Sequence, residues 1–293
     1  LNSQTFHYAI TKATQKVSFK DVNLNLNSKN LTSTNPKDAD IPTLVEGKNT
    51  NLLFKDYTIL SDSFSFNLHN DTIQGTLKHK NGNADFYKRG KSITLDAKEF
   101  GDDFLNTIAK KHIVSKGRFF INANTNEKGV IVGEMRLLNT SLNELNVLQN
   151  LMAFIDTIPS LLSFKIPGFN DKGYYLEDGK IYFGLNDTFL AIDKLHFKGS
   201  SIDINGQGII QLESQNIDFN AELITAKALS GIINKIPLVN YIVLGKEGKI
   251  STNFKISGTI HQPQIHTQTT QDLLLLPFNI LKRAITSPFE VFN

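Results

Sequence analysis

Ile217-Asp218-Phe219-Asn220-Ala221-Glu222-Leu223 decides the fold: apolar and polar side chains alternate with a period of two, the pattern of a strand with one dry face and one wet face. The alternation recurs outward from this stretch. Phe64, Phe66 and Leu68 alternate with Ser65, Asn67 and His69, and Ile202 and Ile204 with Asp203 and Asn205. Ile250, Phe254, Ile256 and Ile260 share a face away from Ser251, Asn253 and Lys255. Asn81-Gly82-Asn83, Glu127-Lys128-Gly129, Glu177-Asp178-Gly179 and Asn205-Gly206 read as the turns between such strands. The sequence therefore predicts a mainly β chain with a few helices, its strands paired as a long antiparallel meander over residues 64–265, without an exact sequence repeat.

Three stretches interrupt the strand rhythm. Residues 102–111 read as a short helix with Phe104, Leu105 and Ile108 as its apolar side. Residues 142–164 are apolar nearly all round, with Leu145, Leu148, Met152 and Ile155 at helical spacing. Asp156 and Pro159 argue against a membrane span there, since a carboxylate at a span's centre costs roughly 2.5 to 3.5 kcal/mol on insertion scales. Residues 226–234 form the third stretch, stopped by Pro237, and a last helix is predicted over 277–286 with Pro277 in its first turn. Residues 35–40 read as a linker that sets a small N-terminal strand group apart.

Composition narrows the function. Twenty-one Phe against seven Tyr and no Trp, in 293 residues, is a surplus of side chains that offer dry surface and no polar handle. The formal net charge of +3 is spread without a Lys/Arg run, so nucleic acid is not an expected partner. With no Cys, there is no disulfide, thiolate metal site or cysteine nucleophile. The histidines, His7, His69, His79, His112, His196, His261 and His266, have no metal-site spacing and read as surface or turn residues. Gly206-Gln207-Gly208 lacks the third glycine of a phosphate-binding turn and reads as a hairpin or bulge, and Gly199-Ser200-Ser201 lacks the glycine of a nucleophile elbow. The expectation is a protein that is not an enzyme and takes no cofactor or metal. Leu1 opens no charged and apolar leader, so the chain is expected to be part of a longer protein or trimmed of a signal, with any membrane anchor outside it.

The second half carries a family resemblance. Leu145-Asn146-Val147-Leu148-Gln149-Asn150, Ile158-Pro159-Ser160-Leu161-Leu162-Ser163-Phe164 and Ile166-Pro167-Gly168-Phe169 resemble the C-terminal region of AsmA-like proteins, the group of the YhdP and TamB type. So do the run from Gly199 to Gly208, the run from Ile236 to Gly245, where Asn240 stands in place of a frequent glycine, and the close from Phe254 to Ile260 with Pro277 to Arg283. The resemblance covers residues 142–288, and residues 1–140 share only their richness in strands. It implies a Gram-negative periplasmic protein anchored in the inner membrane by an N-terminal segment absent here. It also implies a strongly curved antiparallel sheet forming an open apolar trough, a β-taco, with helices at its middle and C-terminal end. The implied activity is bridge-like transfer of phospholipid between inner and outer membranes. Residues 1–140 are then the first part of the groove, continuous with an AsmA-like region over 141–293.

Two readings compete. In the first, a dry trough holds phospholipid or another acyl lipid, each methylene kept from water being worth about 0.8 kcal/mol. In the second, the sheet closes on its own side chains as a structural or assembly module that binds an envelope protein along a strand edge. The groove candidates are Phe119, Ile121, Ile202, Ile204, Phe219, Leu223, Phe254 and Ile256. Leu273, Leu274, Phe278, Leu281, Lys282, Arg283, Ile285 and Phe289 are the candidates for contact with a membrane surface, since Leu274, Phe278, Leu281 and Ile285 fall on one helical face with Lys282 and Arg283 on the other. A helix capping the end of the sheet is the alternative for that segment.

Overall fold

Alternation becomes one large open, mostly antiparallel sheet and a small three-stranded one, with two helices, in the computed structural model, which describes residues 5–10, 14–27, 41–143, 146–157, 169–170, 173–200, 202–225, 242–244 and 250–268. The chain divides into Leu1–Gly129 and Val130–Asn293. The first unit holds β1 (Phe6–Ile10), β2 (Gln15–Lys20), β3 (Asn23–Asn25), β4 (Thr43–Lys48), β5 (Asn51–Phe54), β6 (Tyr57–Ile59), β7 (Ser63–His69) and β8 (Thr72–His79). It continues with β9 (Gly82–Arg89), β10 (Ser92–Phe100), α1 (Asp102–Ala109), β11 (Val114–Ser115) and β12 (Arg118–Thr125). The second holds β13 (Ile131–Leu142), α2 (Asn146–Thr157), β14 (Phe169–Asn170), β15 (Gly173–Leu185), β16 (Phe189–Gly199), β17 (Ile202–Gln211), β18 (Ile217–Thr225), β19 (Ile242–Leu244), β20 (Ile250–Gly258) and β21 (Pro263–Gln268).

In the first unit the strands pair in the order β1–β2–β4–β7–β8–β9–β10–β12, antiparallel except for a parallel β2–β4 pair. That pair corrects one expectation. The strands before residues 35–40 are not set apart, because β2 lies in the main sheet and β3 pairs with β5 in a small second sheet. One register offset of 28 residues runs from Gln15↔Thr43 through Asn25↔Leu53, so the parallel stacking lies ahead of the antiparallel meander that starts at residue 64. Lys20-Asp21-Val22-Asn23-Leu24 and Lys48-Asn49-Thr50-Asn51-Leu52 thus stack as two rungs, a repeat too short and too degenerate to notice in sequence. Asp21 and Asn49 turn both rungs with φ of 56° and 47°, the left-handed region that Asx side chains tolerate. Side-chain amides tie the rungs together: Asn49 Nδ2 donates to Asp21 Oδ1 at 3.0 Å, and Asn51 Nδ2 to Asn23 Oδ1 at 3.1 Å.

In the second unit the order is β13–β15–β16–β17–β18–β20–β21, all antiparallel, with β14 on β15 and β19 on β20. Laid flat, six spacings of about 4.8 Å would hold β13 about 29 Å from β21. Yet α2, which begins four residues after Leu142 ends β13, packs on β21, and Asn146 Nδ2 donates to the His261 carbonyl at 3.3 Å. Four residues span at most about 14 Å, so this sheet must roll to bring its two edges within reach of one helix. It stays open: no hydrogen-bonded pairing joins β13 to β21 among the described residues.

Two sequence turns are corrected here. Glu177-Asp178-Gly179 lies inside β15, and Asn205-Gly206-Gln207-Gly208 inside β17. These glycines are not turns but seats for aromatic rings: the Phe219 ring lies across Gly206 and Gly208, and Phe197 and Leu176 crowd Gly179. The helix predicted over 102–111 forms as α1, and α2 occupies the middle of the apolar stretch 142–164. The linker at 35–40 and the helices placed at 226–234 and 277–286 lie outside the described residues.

Candidate functional site

Cross-strand register proves what alternation alone could not, that separate strands share a face. In the first unit the ladder aligns Tyr8, Val17, Val45, Phe66, Gly75, Phe86, Leu95 and Ala123 in one row across eight strands. The next row on the same face is Phe6, Phe19, Gly47, Phe64, Leu77, Ala84, Ala97 and Ile121. At one end this face is shut: α1 lays Phe104 against Phe100 with ring centres 4.2 Å apart, and Leu52, Val114 and Phe119 are all under 4% exposed. Away from that end it is not. Tyr8, Val17, Val45, Phe66, Phe86 and Leu95 are each only half-buried. The other face is polar, with Ser18, Glu46, Ser65, Thr76 and Asp96 among its residues, and it carries two furrows of about 560 and 460 Å³.

The groove candidates of the second unit also converge on one face. Ile204 opposes Leu223, Phe219 opposes Ile256, Ala221 opposes Phe254, and Ile202 lies one row beyond Ile204. All six, Ile202, Ile204, Phe219, Leu223, Phe254 and Ile256, are 0 to 8% exposed and form part of a closed core, to which α2 adds Leu151 at 2%. The same face continues onto β13, β15 and β16, where Met135, Ile181, Phe183, Leu190 and Leu195 are half-buried. Of the candidates in the first unit, Phe119 is buried beside Phe100, and Ile121 is half-buried beside Ala97. The membrane-contact candidates, Leu273, Leu274, Phe278, Leu281, Lys282, Arg283, Ile285 and Phe289, lie outside the described residues.

Sequence reasoning missed the half-open row of the first unit. Phe64, Phe66 and Leu68 were visible as a strand face, but the composite Val45–Phe66–Phe86–Leu95 row needs the register. It also misplaced His79, which is buried rather than superficial. His79 Nε2 lies 2.9 Å from Asp103 Oδ2 and Nδ1 lies 3.3 Å from Asp62 Oδ1, with Phe104 beside the ring. Burial pushes the Asp103 carboxyl up, but hydrogen bonds from Lys80 and His79 outweigh it and hold the group at about 2. The cluster fastens the start of α1 to the end of β8. Similarly, the buried Tyr174 hydroxyl, pushed up by desolvation, donates to the Ile202 carbonyl at 2.7 Å and braces the sheet. Among the described residues no group of three or more His, Asp or Glu side chains is placed so that it could hold a metal ion, the His79 cluster included, and no helix is long and apolar enough to cross a membrane.

A mostly β chain with an open, curved sheet not closed into a barrel, whose strands in each unit line up apolar side chains on one face, defines the class of open β-sheet proteins. The family model described as YhdP protein matches residues 1–265, and the chain belongs to that family, an envelope family of the AsmA-like, lipid-transport group. No curated protein and no solved structure matches the chain significantly.

Proposed function

We propose that this chain is a non-enzymatic lipid carrier of the periplasm, which holds phospholipid acyl chains on its apolar sheet face as they pass between inner and outer membranes. The observation that carries the reading is the Val45–Phe66–Phe86–Leu95 row: four large apolar side chains in one register row, interrupted only by Gly75 of β8, half-buried, beside neighbours that are fully buried. A core residue gains by complete burial, and a side chain of that size leaves as much as about 1 kcal/mol unrealised when it stays half-wet. Repeated across a row, that deficit marks surface kept dry by something other than the protein. Membership of an envelope lipid-transport family supports a lipid as the occupant, and in this reading its acyl chains lie on the row with the head groups in water. Native mass spectrometry of the purified chain tests it: phospholipid adducts lost on Phe66→Asp are expected, and a lipid-free wild type overturns the reading.

The closed core around Leu223 and Phe254 favours a second reading for the other unit, a structural module that steadies the carrier and offers an edge to an envelope partner. Lipid adducts that survive Phe66→Asp but vanish when the half-buried Phe183 or Leu190 is changed would move the carrier role to that unit.

A further inference from the structure

Two phenylalanines of β7 lie down on glycines of opposite neighbours. Phe66 faces Gly75 of β8 in register, and Phe64 faces Gly47 of β4, their ring centres 5.2 Å apart. A Cβ at Gly75 would fall on the edge of the Phe66 ring, with Cε1 at 2.6 Å, and a Cβ at Gly47 would likewise meet Phe64 Cζ at 2.6 Å. Ordinary carbon contacts need about 3.5 Å or more, so each ring occupies the volume its partner's side chain would have filled. The two pairs differ in what lies above. Phe64 is 4% exposed, with its seat sealed, whereas Phe66 is half-buried on the open row.

We propose that the Gly75–Phe66 pair sets the clearance of the apolar groove, admitting kinked as well as straight acyl chains because the ring lies flat. This rests on the lipid-carrier reading. If Gly75 gains a methyl, the ring must rise by more than about 1 Å, since about 3.5 Å is needed, the new carbon would stand 2.6 Å from Cε1 and closer still to Cδ1, and the Ser65 carbonyl, 2.8 Å away, blocks the sheet side. The space lost lies over the row that an acyl chain would follow. A straight chain can pass a raised ring more readily than one bent at a cis double bond, so the change selects by shape and not only by amount.

The experiment compares lipid extracted from folded wild type, Gly75→Ala, Phe66→Leu and the Gly75→Ala/Phe66→Leu double variant, with Gly47→Ala as the sealed-seat control, all expressed in one host. Chromatography with mass spectrometry reads the ratio of unsaturated to saturated chains per mole of folded protein. Gly75→Ala is expected to lower that ratio at least twofold, the double variant to restore it, and Phe66→Leu alone to raise it. Gly47→Ala is expected to lower the melting temperature without moving the ratio. If Gly75→Ala does not fold, Phe66→Leu decides alone. Wild-type lipid with an unchanged ratio in Gly75→Ala and Phe66→Leu overturns the clearance role while leaving the carrier intact; wild type without lipid overturns both.

Discussion

An aspartate placed on the apolar face should act in opposite ways in the two units, and the contrast can be worked from exposure. Ile204 is 6% exposed between Phe197 and Leu223. Removing its branched side chain costs about 2 to 5 kcal/mol, and a carboxylate left there without a partner adds several more. Against a total stability of about 5 to 15 kcal/mol, Ile204→Asp should unfold the second unit. Phe66 is half-buried, so Phe66→Asp forfeits about 1 to 2 kcal/mol of burial and leaves its carboxylate in reach of water. At about 2 to 4 °C per kcal/mol for a chain portion of this size, melting should fall by less than about 10 °C, with lipid adducts lost. Hydrogen exchange followed by mass spectrometry reads the units separately: Ile204→Asp should expose the amides of β17 and β18, and Phe66→Asp should leave β7 and β8 protected. If Ile204→Asp keeps its protection, the core around Leu223 is not closed. If Phe66→Asp unfolds the first unit, the row through Phe66 is core and not groove.

Four further outcomes follow. His79→Ala should loosen α1 by about 1 to 3 kcal/mol through the lost contacts to Asp103, Asp62 and Phe104, seen as faster exchange across Asp102–Ala109, whereas substitutions at the exposed His7, His69 and His196 should change melting little. Asp103, held at about 2, is depressed below its unfolded value of about 3.9; its contribution, about 1 to 2 kcal/mol after discounting for its partial exposure, is present above pH 4 and is lost as pH falls toward 2. Asp103→Asn should lower stability at pH 7 and flatten that acid limb in urea melts. Asn51→Ala should cost about 1 to 2 kcal/mol, because it severs the tie to Asn23 and the bond accepted from the Ser61 N–H, read by urea unfolding of the first unit. In this cysteine-free chain, Asn146→Cys with His261→Cys should be bridged by a short bismaleimide within the monomer, since the two positions touch; failure to bridge would refute the rolled sheet.

Much of the architecture could be read from residues because period-two alternation is a local signal. Phe64-Ser65-Phe66 and Ile217 to Leu223 announce strands, and Phe104, Leu105 and Ile108 announce α1, without help from the rest of the chain. What could not be read depends on distant partners. The parallel stacking of β2 on β4 is set by matching Asx corners at Asp21 and Asn49, which look like any polar turn until one is laid over the other. Gly179, Gly206 and Gly208 read as turns because glycine's commonest reason to appear is backbone freedom, whereas here the reason is a ring from the next strand. The candidate site was legible only in part, for the same cause. Phe66 and Phe254 have the same local pattern, and no property of either side chain says which one is covered.

What separates them is the topology on either side. In the second unit β13 runs directly into α2, and the rolled sheet brings β21 back under that helix, so the face carrying Phe254, Ile256 and Leu223 finds a cover made by the same chain. In the first unit the one described helix, α1, is eight residues long and is tied to the end of β8 by His79, Lys80 and Asp103, so it can shut only the end of the face. The remainder, from Val45 to Leu95, has the composition of a core but is only half-buried at its large side chains. Apolar rows of that kind are costly to leave in water and, at about 25 cal/mol per Å², profitable to any flexible hydrocarbon laid along them. The absence of polar groups from the row means that nothing fixes such a ligand at one point. A chain held by many equal contacts and no specific one can shift along the strands in small steps, each exchanging one dry contact for the next, which is the physical requirement for carrying lipid rather than storing it.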